Sequence, residues 1–238
     1  HVSLVETNPC GAIINNILGT VNAAKLADNY KVKKFIMVST DKAVRPTSVM
    51  GATKRVCELF IQNFNHISDT DYVAVRFGNV LDSSGSVIPK FRQQIMNGGP
   101  VTVTHPEATR YFMLIPEAVQ LVMQAASLGK GGEIFILDMG EPVNIDNMAK
   151  DMIRMMGFGL EEVKIDYTGL RPGEKLHEEL LINEAEKVTK YESITIAGVT
   201  KVNWEEFEDD LDKLIRFAGE GDVGGAIRML KKLIPEYN

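Results

Sequence analysis

The chain has 238 residues, 45% hydrophobic and 24% charged, an ordinary balance for a globular protein with room for one large domain or two modest ones. Its formal net charge of −6 argues against general binding to nucleic acid or to an anionic membrane surface, yet leaves room for an anionic small ligand wherever arginines gather. Cys10 and Cys57 show neither paired nor metal-type spacing, which points to a reduced, cytoplasmic setting, and His1, His66, His105 and His177 are too scattered to outline a metal site.

No apolar run approaches the roughly 18 residues that would suggest a membrane span, and no signal peptide is visible. No membrane contact is therefore expected from this chain. It begins at His1 rather than methionine and reads as a piece of something longer.

In chain order, Asn8 can cap a helix with Pro9 at its first position. Ile14, Ile17, Leu18 and Val21 recur at helical spacing, predicting one amphipathic helix over 8–29. "KKFIMVS" (Lys33 to Ser39) has the length and apolarity of a buried parallel strand. A second helix is expected over about 48–65, then a buried strand in "YVAVRFG" from Tyr72. "SSGSVIPKFRQQIMNGG" gives a loop, a helix and a double-glycine stop. "GPVTVTHP" reads as a short strand, 116–126 as a helix with proline at N1, and "GGEIFILDMG" as a strand between glycine turns. A helix over 145–156 and a strand in "VKIDYTG" follow, with the methionines between Met148 and Met156 as helix packing. From Trp204 two helices are expected, with Phe207, Leu211, Leu214 and Ile215 on one face. The alternation predicts an α/β protein with a mostly parallel sheet. Gly219, Gly221 and Gly224 fit the spacing of a dinucleotide-binding loop, but a helix precedes them and no acid follows at the required distance, so they read as a helix–helix turn.

The chemistry concentrates in "VSTDKAVRPTSVMGATKR", Val38 to Arg55. It offers a strand, a Ser-Thr pair and a helix carrying Lys54, the layout of a dehydrogenase site. Where such a site would place tyrosine stands Met50, whose thioether cannot exchange a proton. Asp41 and Lys42 instead sit at the carboxyl end of the strand, where α/β sheets bind ligands. Asp41 can donate a proton only where desolvation keeps it protonated, and Lys42 can act as a base only where its ammonium is destabilised, as Lys54 nearby would help to do.

Six motifs run in order from His1 to about Leu181: "NNILGTVNAA", the stretch above, "VRFGNVLDSSGSVIP", "GGPVTVTHPEATRYFMLIPEAVQLV", "GEIFILDMGEPVNI" and "TGLRPGEKLHEELL". With them the chain resembles the C-terminal two-thirds of the CapD-type nucleotide-sugar 4,6-dehydratases of polysaccharide biosynthesis, which belong to the extended short-chain dehydrogenase/reductases. The resemblance implies an NAD-binding, Rossmann-type doubly wound sheet lacking its first strands, with a smaller C-terminal substrate lobe. The dinucleotide domain's second half would span 1–80, with 109–140 packing back on it. A substrate lobe would span 81–200 and a helical tail 201–238. The implied reaction is oxidation of a UDP-sugar at C4 by NAD, loss of water across C5–C6 and return of hydride to C6. UDP-N-acetylglucosamine or a similar UDP-sugar would be the substrate.

In soluble members of that family the position of Met50 is tyrosine, and in the larger membrane-tethered members it is methionine, so Met50 reads as a subfamily trait. The resemblance assigns Thr40 to the sugar 4-hydroxyl, Asp41 to general acid, Lys42 to general base and Lys54 to the nicotinamide ribose. A relay through Asp41 or water would take the 4-hydroxyl proton. Ser39, Phe77 and Gly78 would lie on the cofactor side, and Asn16 resembles the asparagine that braces the active-site strand. Asn79 and Val80 would face the substrate.

An acidic protein that binds a nucleotide diphosphate needs local cations, and arginine matches phosphate bidentately. Arg76, Arg110, Arg171 and Lys175 are the candidates, with Arg110 and Arg171 preferred because the Pro172-Gly173 turn fixes the direction of its neighbours. Ser84 to Ser86 leads into a helix N-terminus, which favours anions. Tyr111 and Phe112 would line the sugar or uracil pocket, and His105 would serve a turn. By position in the family, the glycine fingerprint and first strands lie outside this chain. An apolar sheet edge should then stand open and the chain's own affinity for NAD should be weak. Self-association is expected through the helices at 9–29 and 48–65. The rival readings are a UDP-sugar 4-epimerase, which would have no use for adjacent Asp41 and Lys42, and a catalytically silent binding module.

Overall fold

The computed structural model describes residues 1–83, 85–179, 187–189 and 192–237. The chain opens with α1 (Val2–Thr7) and α2 (Pro9–Ile13), runs through a π-helical turn at Ile14–Leu18 and continues as α3 (Gly19–Asn29). Asn8 caps α2, its Oδ1 accepting from the Gly11 amide at 3.1 Å, with Pro9 at N1. β1 (Lys34–Val38) leads through a short 3₁₀ turn at Asp41–Ala43 into α4 (Val49–Phe64), capped by Ser48. Next come β2 (Asp71–Arg76), β3 (Asn79–Val80), α5 (Val87–Met96), β4 (Val101–Val103), β5 (Thr109–Arg110), β6 (Phe112–Met113), α6 (Ile115–Leu128) and β7 (Ile134–Leu137). The chain ends with β8 (Val143–Asn144), α7 (Ile145–Met155), β9 (Ile165–Tyr167), β10 (Lys187–Val188), β11 (Ile194–Ile196), α8 (Trp204–Gly219) and α9 (Val223–Leu233).

The main sheet has the order β1-β2-β7-β11-β10. β1, β2 and β7 are parallel, with Lys34 opposite Asp71 and Val75 opposite Phe135, while β11 and β10 add antiparallel at one side. Alternation along the strands divides two apolar layers. Met37, Tyr72, Ala74, Ile134 and Ile136 face the layer of α2, α3 and α4, and Val73, Val75, Phe135 and Leu137 face that of α6. Helices thus cover both faces, as a doubly wound sheet requires. Among the described strands β1 pairs only with β2. Near that edge Val38 is 48% exposed, and Ile115, Val119 and Met123 on α6 are exposed too.

A separate cluster of Phe91, Ile95, Val101, Val103, Ile145 and Ile153 holds α5, α7 and β4 together beyond the sheet, where β4 pairs with β9 and β5 with β8. The cavity described below lies between this cluster and the strand tips. No helix among the described residues is long and apolar enough to cross a membrane.

The helices expected to self-associate pack against the C-terminal helices of the same chain. Phe207, Leu211 and Leu214 of α8 and Ala226 and Leu230 of α9 share one core with Ala12, Ile13 and Ile17 of the first helix and Val56 and Phe60 of α4. Trp204 adds rings against Phe60, Phe64 and Phe207. The helices at 9–29 and 48–65 therefore complete their helical layer within the chain. Every residue of α4 except Met50 and Lys54 is buried, so α4 offers no apolar face to a second copy.

Candidate active site

The site starts where β1 ends. Beyond Val38 the chain stays paired to the β2 side: the Ser39 amide donates to the Val75 carbonyl at 2.7 Å and the Asp41 amide to the Phe77 carbonyl at 3.2 Å. Thr40 remains extended and caps the 3₁₀ turn, which sends Asp41 inward and Lys42 along the cavity wall. Two glycines permit the approach. A Cβ on Gly51 would lie 2.0 Å from the Lys42 carbonyl oxygen, and one on Gly78 would lie 3.1 Å from Asp41 Oδ2.

Asp41 is fully buried. Its Oδ1 accepts from Thr40 Oγ1 at 2.8 Å and from Lys42 Nζ at 2.9 Å, whereas its Oδ2 has no hydrogen-bond partner among the described residues. Lys42 Nζ also reaches Asn79 Oδ1 at 3.4 Å and stands 3.8 Å from Glu178. Its side chain is only 16% exposed, so the acid–amine pair faces the interior of the site.

A cavity of about 520 Å³ opens from this pair and includes Thr40, Lys42 and Met50 in its wall. Gly78, Asn79 and Val80 line it from the β2 side, Ser86 and Lys90 from the start of α5, and Arg110 and Arg171 from the far side. A side pocket of about 170 Å³ adjoins it at Lys42, Arg110 and Glu178. Arg110 is held in place, donating to Glu174 at 2.8 Å and to the Thr109 and Leu176 carbonyls. The Ser86 hydroxyl, at the start of α5, is buried without a hydrogen-bond partner among the described residues. Ser84 lies outside the described residues.

Several residues marked from the sequence lie elsewhere. Arg76 is fully buried and is not a cavity residue: its guanidinium meets Glu58 at 2.6 and 2.5 Å. Burial alone would push the Glu58 carboxyl up, but Arg76, then Arg55 and the Ser39 hydroxyl, hold it below the usual carboxylate range. Ser39 donates to that same Glu58 at 2.7 Å, so its hydroxyl points beneath the strand. Lys175 turns away from the cavity to the Val44 carbonyl at 2.8 Å and to Glu179. Asn16, within the π-helical turn, donates to Thr53 Oγ1 at 3.0 Å and so braces α4 rather than β1. Lys54 Nζ donates to the Val38 carbonyl at 3.2 Å, on the open side of β1. Phe77 meets the site through its carbonyl, while its side chain packs against the apolar layer on the α6 face of the sheet, as Tyr111 does. Phe112 lines the cavity, and His105 accepts from the Glu107 amide in a turn.

The sequence reading missed Lys90, Glu174 and Glu178. Lys90 follows Val87 by three positions, one helical turn into α5, and donates to Thr102 Oγ1 at 2.9 Å. That spacing was a usable signal. Among the described residues no group of three or more His, Cys, Asp or Glu is placed to hold a metal ion.

The family described as "Polysaccharide biosynthesis protein" matches residues 1–199. "Capsular polysaccharide biosynthesis protein CapD" of Staphylococcus aureus is 60% identical over 196 residues, 82% of this chain and 33% of that protein. "Probable polysaccharide biosynthesis protein EpsC" of Bacillus subtilis (strain 168) is 54% identical over 205 residues, 86% of this chain and 34% of that one. The chain thus spans about a third of the length of these curated relatives. Among solved structures, Pen from Bacillus thuringiensis superposes with a TM-score of 0.75 at 33% identity, covering 88% of this chain and 71% of that one. DesIV, a dTDP-glucose 4,6-dehydratase from Streptomyces venezuelae solved with NAD and TYD bound, shares the fold at a TM-score of 0.69 and 18% identity, covering 76% and 61%. By its sequence match, its relatives and its sheet, the chain belongs to the polysaccharide biosynthesis protein family, among its CapD-type members with the short-chain dehydrogenase/reductase fold.

Proposed function

We propose that the protein is an NAD-dependent nucleotide-sugar 4,6-dehydratase of surface-polysaccharide synthesis, acting on UDP-N-acetylglucosamine or a similar UDP-sugar. The observation that carries this reading is the buried Asp41–Lys42 contact at 2.9 Å, beside a cavity with cations farther along its wall. Dehydration next to a ketone needs a base for the C5 proton and an acid for the departing C6 hydroxyl. Lys42 serves as the base and Asp41 as the acid. Thr40 Oγ1 orients the sugar 4-hydroxyl, and its hydrogen bond to Asp41 at 2.8 Å offers that hydroxyl's proton a route. Arg171, Arg110 and Lys90 are the cations available to the diphosphate.

The residues at the strand tip fit the nicotinamide end of NAD. Met50 and Lys54 are the two residues of α4 that are not buried, and the Lys54 amine, bonded to a backbone carbonyl, is free to hold ribose hydroxyls. NAD, when bound there, would take a hydride from C4 and return it at C6.

A 4-epimerase reading is favoured by relatives such as "UDP-glucose 4-epimerase" of Rickettsia akari, 39% identical over 187 residues. Met50 counts against it, since simple oxidation and return at C4 calls for a proton-exchanging side chain there, while the adjacent acid and amine would have no task. Incubation of the intact protein with UDP-N-acetylglucosamine separates the two by mass. A 4-keto-6-deoxy product lighter by one water supports dehydration; an isomer of unchanged mass overturns it.

A further inference from the structure

Glu178 enters the site opposite the β1 tip, and its side chain is 3% exposed. Its Oε1 stands 3.8 Å from Lys42 Nζ and 3.9 Å from Arg110 Nε, both beyond hydrogen-bond range. Each of those cations is committed elsewhere, Lys42 to Asp41 at 2.9 Å and Arg110 to Glu174 at 2.8 Å. The other oxygen, Oε2, is buried with no hydrogen-bond partner among the described residues. The charged groups facing Glu178 are Lys42, Asp41, Arg110 and Lys175, the last tied to the Val44 carbonyl. An ionised carboxylate so placed would leave Oε2 desolvated with no hydrogen bond from the described residues, a costly state that a neutral acid avoids. Burial, aided by Asp41, pushes the Glu178 carboxyl above its usual range despite the pull of Lys42.

We propose that Glu178 works as a neutral carboxylic acid whose O–H donates a hydrogen bond to a hydroxyl oxygen of the bound sugar, in the side pocket it lines with Lys42, Arg110 and Arg171. The terminal carboxyl torsion is soft, so either oxygen can turn to the pocket when a sugar enters. Glu178 is then a positioning residue: no proton leaves it during the reaction. Its neutrality leaves the proton exchange to Lys42 and Asp41 and keeps a further negative charge away from the diphosphate. This inference rests on the nucleotide-sugar reading above.

Two measurements on the intact protein test it. Infrared difference spectra should contain a carboxylic-acid carbonyl band that persists well above the ordinary glutamate range of about 4.3 and disappears in Glu178→Gln. In kinetics, Glu178→Ala should lower kcat/KM about 10- to 100-fold. Glu178→Gln, neutral and still a donor, should recover most of that loss and abolish the fall in activity on the alkaline side. Absence of the band at neutral pH, a glutamine variant no better than alanine, or an unchanged alkaline fall would each overturn the proposal. If Glu178→Ala fails to fold, the band and the glutamine pH profile decide. A native protein that forms no 4-keto-6-deoxy sugar sinks the dehydratase reading instead, while the infrared band still judges Glu178 in the ligand-free protein.

Discussion

Two charged clusters lie within a few residues of each other at the ends of β1 and β2, and they are built from the same residue types to opposite effect. Under the sheet, both Glu58 oxygens are used, by Arg76 and Ser39 on one and by Arg76 and Arg55 on the other. Arg55 passes on to Thr200 and Glu236, tying the sheet to the C-terminal segment. Above the strand tip, Asp41 and Glu178 each keep one buried oxygen without a partner among the described residues. A carboxylate with both oxygens paired fixes a scaffold, whereas one with a buried oxygen left over keeps capacity for a ligand.

The contrast can be broken most sharply at the pair itself. Asp41→Asn and Lys42→Ala should each cut 4-keto-6-deoxy product formation about 100- to 10,000-fold, measured by product mass in protein that remains folded. Full activity in both would refute the assigned roles. Glu58→Ala should do the reverse, destabilising the fold by about 3–5 kcal/mol in denaturant titration because it removes the buried carboxylate that pairs with both Arg76 and Arg55. Arg171→Ala should raise KM for the UDP-sugar about 10-fold with little change in kcat, since it removes a charged contact to the diphosphate. Lys175→Ala, bonded to the backbone rather than facing the cavity, should shift KM less than about threefold.

The smallest effect sharpens the comparison through pH. Glu58, held low, contributes stability that is present above its unfolded value and is lost as pH falls through its lowered folded value. Glu178, held high, has the opposite sign: its contribution is present below the unfolded value and is lost as pH rises through the raised one. Glu178→Gln should therefore gain stability relative to the native protein on the alkaline side of that window and not on the acid side, in urea titrations at the two pH values.

Much of this was legible in the residues. Apolar runs at 35–38, 72–75 and 134–137 have the unbroken hydrophobicity that strands buried on both faces require, and the polar "STDK" at the end of one marks a strand tip. Partnership was not legible. Arg76 sits in an apolar run and Glu58 in a helix 18 positions earlier, and nothing local to either announces the other. Glu178 lies in "HEELL", where nothing local announces Lys42, 136 residues away by their numbering. The apolar stripe of α8 was visible, but not that it would close over α2 and α4. The antiparallel β10 and β11 depend on a neighbour, β7, rather than on their own short sequences.

Because α4 is locked in place everywhere but at Met50 and Lys54, those two positions are where its chemistry can be exchanged without repacking the protein. A thioether or a phenol at position 50 would stand on the same unaltered cylinder. Catalytic style in such a fold can then diversify one side chain at a time, with the scaffold indifferent to the choice.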